Sequence, residues 1–135
     1  MTKYKLTEET IEWKGRTLHR IESLINFCDV KKGDKGGWIE KESNLSQKGF
    51  CWIYDEAKAF DDSQIFDDVK IRNTVEISNN AKIFDSVQIS DKCNISGNSI
   101  ISDEVKISGS IVISDNTKIS RRGEIDNESE SFWIY

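Results

Sequence analysis

At 135 residues, with 36% hydrophobic and 32% charged side chains, the chain suits one domain but is too polar for a thick globular core; a solenoid one side chain wide fits that composition. The net charge of −5 lacks the basic footprint of a nucleic-acid binder, so no direct nucleic-acid contact is expected. Three cysteines (Cys28, Cys51, Cys93) at unrelated spacings and a single histidine, His19, exclude a disulfide framework and a zinc site.

The first five residues, Met-Thr-Lys-Tyr-Lys, lead into polar sequence rather than an apolar signal core. No stretch approaches the roughly 18 consecutive apolar residues of a membrane span. The expected location is therefore the cytoplasm, away from membranes, in keeping with the cysteine usage.

Residues 1–36 read as a cap. Ile11-Glu12-Trp13 and Arg16 to Ile21 flank Lys14-Gly15, a β-hairpin pattern, and Leu24, Ile25 and Phe27 are candidates for an apolar lid over the first coil. Asp29 to Gly37, rich in Lys, Asp and Gly, reads as a surface loop. Solenoids need such caps because a terminal coil otherwise exposes its core and its strand edges.

Residues 37–128 carry a six-residue repeat. Gly37 to Glu42 and Ser43 to Lys48 fit it, Gly49-Phe50 interrupt it as a corner bulge, and from Cys51 thirteen hexads run without insertion. The third position is Ile throughout except Ala59, and the first is small or β-branched. Two residues apart in a strand, these positions share one face, which makes them the interior; positions two and four point outward. Positions five and six are mostly Asp, Asn, Gly or Ser, residues that turn a chain. Each hexad is one short strand and one corner.

A small residue, any residue, then an aliphatic residue every six is the pattern of the hexapeptide-repeat proteins, and the chain resembles that trimeric-transferase-like family. The resemblance implies an all-β fold: a left-handed, three-sided parallel β-helix of about five coils, commonly a homotrimer. The stretch GGWIEKESNLSQKGFCWIYDEAKAF, with IEWKGRTLHRIESL before it, is similar to a narrower group of phage and prophage proteins with a G-G-W-[IV] entry and a C-W-[IV]-Y-D start to the coils, largely of unknown function.

Acyltransferases of the family use, as the resemblance implies, a histidine in the coils and an extended loop that shapes the acyl-CoA site. Here His19 lies before the coils and residues 51–128 hold no loop insertion. Cys51 and Cys93 fall at the inward small position, where a buried inert thiol is the expectation. No catalytic residue, cofactor or metal is expected. Stacked carboxylates can attract a divalent cation, but no D-x-[DN]-x-[DN]-G loop is present.

The outward positions are more telling. With every third hexad on one wall, Gln64/Phe66, Lys82/Phe84, Ile100/Ser102 and Lys118/Ser120 stack in successive coils about 4.8 Å apart. Phe60, Phe66, Phe84 and Ile100 then form an apolar strip beside an acidic ridge of Asp67, Asp68, Asp85, Asp103 and Glu104, the pattern of a protein-binding surface. The alternative is that the aromatics only cover a corner and the carboxylates are solvated.

Residues 129–135 end in Phe132-Trp133-Ile134-Tyr135, a C-terminal cap or a contact with a second subunit. The function expected is that of a non-enzymatic, phage-type binding protein. Such a module, an anti-CRISPR-like counter-defence inhibitor, would offer an acidic wall to a basic surface of a host protein or ribonucleoprotein complex in a bacterial cell. The alternatives are a structural homo-oligomeric phage or cell component and, third, a degenerate hexapeptide acyltransferase.

Overall fold

The computed structural model describes residues 2–126. Sixteen strands, numbered in chain order, make up its regular structure together with one 3₁₀ turn at Glu42–Asn44. β1 (Tyr4–Trp13) and β2 (Arg16–Ser23) form an antiparallel hairpin around Lys14 and Gly15. Both turn residues have positive φ, 51° and 81°, as a two-residue type I′ turn needs.

β3 (Lys35–Ile39) pairs antiparallel with β2 on one edge and parallel with β5 (Lys58–Ala59) on the other, so the hairpin extends one wall of the solenoid. That cap wall continues through β8 (Glu76–Ile77), β11 (Asn94–Ile95) and β14 (Val112–Ile113). A second wall, here the aromatic wall, stacks β6 (Gln64–Ile65), β9 (Lys82–Ile83), β12 (Ile100–Ser102) and β15 (Lys118–Ser120), with Leu45 bridging to Ile65 in the coil before. The third wall stacks β4 (Trp52–Ile53), β7 (Lys70–Ile71), β10 (Gln88–Ile89), β13 (Val105–Ile107) and β16 (Gly123–Ile125). The result is an all-β, three-sided parallel solenoid of about five coils.

The register is the one the hexads dictate. Ile65 pairs with Ile83, Ile83 with Ile101 and Ile101 with Ile119, and all four are at most 1% exposed. The first-position residues Cys51, Ala57, Ser63, Val69, Val75, Ala81, Val87, Cys93, Ser99 and Val105 are equally buried. Large and small inward side chains thus alternate along the thin interior. Each buried Ile stabilises the fold by roughly 2–3 kcal/mol relative to exposure.

Corners are built from position five, which lies in the left-handed region in every hexad from Asp55 (φ 57°) to Asp115 (φ 60°). Asp, Asn and Gly tolerate that conformation best, which explains why the repeat confines itself to them there. The side chains then reach along the solenoid. Asp55 accepts the backbone N–H of Asn73 at 3.0 Å, Asp61 that of Asn79 at 3.1 Å, Asn73 that of Asp91 at 3.0 Å and Asp91 that of Gly109 at 2.9 Å. Each bond spans eighteen residues, one full coil.

The insertion Gly49-Phe50 is absorbed at a corner where Gly49 has φ 73° and an added Cβ would meet the Asp67 carbonyl oxygen at 2.6 Å. Phe50 is left 53% exposed and stacks on Phe27. At the entry, Gly37 lies so close to the Ala57 carbonyl that no side chain fits.

The start of the solenoid is closed by the base of the hairpin. Tyr4, Ile21, Phe27 and Val30 join the core, Tyr4 packs edge-on against Trp52, and its hydroxyl donates to the Leu45 carbonyl at 2.6 Å. Lys3 is buried there as well, donating to the Cys51 carbonyl at 2.7 Å. Among the described residues no helix is long and apolar enough to cross a membrane. Phe132, Trp133, Ile134 and Tyr135, expected to form a cap or an interface, lie outside the described residues.

Candidate binding face

The outward residues of the three walls differ in what covers them. On the cap wall the tip of the hairpin folds back over the first coils. The Trp13 indole N–H donates to Glu76 at 2.9 Å, Lys14 pairs with the same carboxylate at 3.0 Å, and the Lys58 ammonium lies 4.4 Å from the Trp13 ring. Arg16 reaches Asp61 at 2.8 Å. Under this tip Leu18, Trp38 and Phe60 form a small second core, with Ile11 and Trp13 packed against it.

Phe60 therefore does not join Phe66 and Phe84 on an exposed apolar face, as the sequence led one to expect. It is 4% exposed and sits on a different wall from Phe66 and Phe84. Hexad position four is outward, but the hairpin occupies that outer face and turns it into an interior. The repeat alone carries no sign of this, because the covering residues lie forty positions upstream.

On the third wall the early coils are also occupied. Tyr54 donates its hydroxyl to Asp29 at 2.7 Å, and the Arg72 guanidinium stacks 4.0 Å from the Tyr54 ring. The Asp29 carboxyl is held below its usual value chiefly by that Tyr54 hydrogen bond, with Arg72 and Lys70 adding to it. Burial and the same bond push the Tyr54 hydroxyl well above the ordinary phenol range.

Among the described residues, none of the hairpin lies over the aromatic wall. Phe66 and Phe84, half-buried, stand in adjacent coils with ring centroids 5.0 Å apart and planes 8° from parallel. Ile100 follows in the next coil at position two, between Lys82 and Lys118 on its neighbouring strands. None of the hairpin contacts described above reaches this wall. Its half-buried apolar residues are Phe66 and Phe84 in one column and, two residues to the side in the next coil, Ile100, with Ser102 following Phe84 in the column itself.

The ridge beside the strip is more ordered than an acidic surface need be. Asp67 accepts the N–H of Asp85 at 3.0 Å, and Asp85 that of Asp103 at 2.9 Å, while Asp103 accepts the Ser120 hydroxyl at 3.0 Å. Asp68 accepts the Phe50 N–H at 3.2 Å and Glu104 pairs with Arg122 at 3.0 Å. The carboxylates stay exposed but are fixed in direction, so they build the corner and present a row of charge at the same time. The signal for this double role was in the sequence: the same acidic or amide residue recurring every eighteen positions.

His19 is on β2, its Nδ1 3.1 Å from the Thr7 carbonyl across the hairpin, away from the aromatic wall. Cys51 and Cys93 are buried at the inward first position, and burial raises both thiols, Cys93 to about 11. That is the environment of an unreactive thiol.

No family model matches the chain. A stretch of 64 residues, 42% of the chain, is 41% identical to the uncharacterized acetyltransferase YdcK of Escherichia coli K12, and covers 20% of that protein's length. The match and the solenoid together suggest a hexapeptide-repeat relationship. The chain spans about one fifth of this curated relative.

Proposed function

We propose that this chain is a non-catalytic protein-binding module built on a hexapeptide-repeat solenoid, and that its docking face is the aromatic wall. One observation carries the reading: Phe66 and Phe84 stand stacked on the outer side of a wall that the hairpin leaves uncovered, although the hairpin covers the corresponding Phe60. Half-exposed aromatic pairs rimmed by charge suit an interface centre, where each aromatic commonly contributes about 2 kcal/mol or more.

The partner we propose is a host protein or ribonucleoprotein complex with a basic surface. The acidic corner beside the strip and the phage-like entry motif support this, and it makes the chain a counter-defence inhibitor of the anti-CRISPR kind. The charged row speeds encounter and sets orientation, and the aromatics hold.

Affinity capture from a bacterial lysate, with the wild type and with Phe66→Ser/Phe84→Ser, tests the face. The expected result is a stoichiometric partner lost in the double variant at an unchanged melting temperature. A partner retained at equal yield would overturn it.

A second reading, acetyl transfer, is favoured by the partial likeness to YdcK. It is tested by incubating the protein with acetyl-CoA and cell extract and following acetylation. Turnover abolished by His19→Ala, with the fold intact, would replace the binding reading.

A further inference from the structure

Lys3 and Cys51 meet where the cap closes the solenoid, an amine against a thiol with both side chains buried. We propose that this pair is an oxidative modification site, which a peroxide converts into a covalent N–S cross-link, a sulfenamide, stapling the start of the chain to the first coil. The site is separate from the docking face and does not depend on it.

The fold holds the two groups together. The Lys3 backbone is fixed on both sides, its N–H donating to Gln47 at 2.8 Å and its carbonyl accepting the Leu24 N–H at 2.8 Å. Its side chain, 2% exposed, runs inward. Nζ reaches the Cys51 carbonyl at 2.7 Å and the Gly49 carbonyl at 3.4 Å, and Cys51 Sγ lies 3.4 Å away, forty-eight residues on in sequence. The Phe27 ring is 5.4 Å off. Among the described residues no carboxylate stands within ion-pair distance of this amine.

The missing counter-ion matters for the chemistry. A buried ammonium without one is costly, and burial pulls the Lys3 amine below its ordinary value, against smaller opposing contributions from Cys51 and Asp68. A neutral amine carries two N–H groups and one lone pair. The two carbonyls take the N–H groups, and the lone pair is left to the sulfur. Cys93 supplies the contrast: equally buried at the same hexad position, its thiol meets the carbonyls of Ser90 at 3.2 Å and Gly109 at 3.5 Å instead.

One peroxide balances the step. The Cys51 sulfur attacks the O–O bond, giving a sulfenic acid and water. The Lys3 lone pair then attacks that sulfur, so the N–S bond forms, the S–O bond breaks, and the hydroxide leaves with an amine proton as a second water. Sulfur is oxidised, the peroxide is reduced, and the chain loses two hydrogens in all. The pair lies beneath the exposed bulge of Lys48, Gly49 and Phe50, so hydrogen peroxide needs only a local opening of this corner. Bulkier thiol reagents need a larger one, and Cys51 stays silent to them in the folded chain.

The test uses the full chain carrying Cys28→Ser/Cys93→Ala, which leaves Cys51 as its one thiol; Ala already fills the first hexad position at Ala57 and Ala81. The folded protein is treated with hydrogen peroxide, and its intact mass is read without reductant. The expected result is a loss of two hydrogens, a proteolytic product joined through Lys3 and Cys51, a raised melting temperature, and reversal of all three by a dithiol. Lys3→Met in the same background should add oxygen to Cys51 and join nothing.

Oxygen added to Cys51 without a link, a thiol that peroxide leaves unchanged, or a link that forms only after unfolding overturns the inference. So does a two-hydrogen loss that persists in Lys3→Met, since the sulfur has then closed on a backbone nitrogen. Mapping of the joined peptides in the Lys3 protein decides the matter even where Lys3→Met fails to fold. A linked protein that melts no higher than the reduced one overturns the staple.

Discussion

The Asp67 carboxylate accepts the backbone N–H of Asp85 at 3.0 Å, joining the same corner of two successive coils. Asn73 and Asn79 make the same bond to Asp91 and Gly97 with an amide oxygen. The bond thus needs an oxygen at that position and not a charge.

Substitution at Asp85 separates the effects. Asp85→Asn should change stability by less than about 0.5 kcal/mol. Asp85→Gly keeps the left-handed turn and loses the bond to Asp103, at a cost of about 1 kcal/mol. Asp85→Ala loses both, at about 2 kcal/mol. Urea unfolding of the three variants gives the order, and an Ala variant as stable as the Asn variant would refute the ladder.

Ile83 is fully buried between Ile65 and Ile101. Ile83→Ala should cost about 2–5 kcal/mol, and Ile83→Asp, which buries an unpaired charge in the middle of the stack, should unfold several coils. Circular dichroism and thermal melts read both. An unchanged melting temperature for Ile83→Asp would contradict the register.

The three thiols should divide sharply. Cys28 is exposed, while Cys51 and Cys93 are buried with raised thiol values. Titration of the native protein with an aromatic disulfide should release one equivalent quickly, and the other two only after denaturation. Comparable rates for all three would mean the inward first position is wrong.

Acid should loosen the loop over the third wall. Asp29 has a folded value below its usual 3.8, so its contribution is present above 3.8 and is lost as pH falls through the lower folded value. Tyr54→Phe removes the main cause. It should lower stability near neutral pH and flatten the decline below about pH 4, as seen in melts across a pH series. An identical acid profile for wild type and variant would refute the Asp29–Tyr54 coupling.

Much of the architecture was legible because the solenoid is nearly one-dimensional. An Ile every six residues with a small residue two positions before it leaves a single register, and the structure pairs Ile65, Ile83, Ile101 and Ile119 as the hexads require. The Gly49-Phe50 insertion was legible as a corner because the repeat resumes in phase after it. Contacts between non-repeating parts were not legible. The reach of Trp13 to Glu76, and with it the burial of Phe60, depends on how a long hairpin curls against two-residue strands, which no periodicity encodes. The carboxylate ridge was legible as charge, but its structural half required seeing that position five is left-handed.

Under the proposed function the partner meets the aromatic wall and not the cap wall. A photo-crosslinking phenylalanine analogue in place of Phe84 is compared with the same analogue in place of Val112, which is 74% exposed on the cap wall. Irradiation in lysate should join a single partner to the protein labelled at position 84 and nothing stoichiometric to that labelled at 112. Equal adducts from both positions, or a partner joined only from 112, would contradict the account.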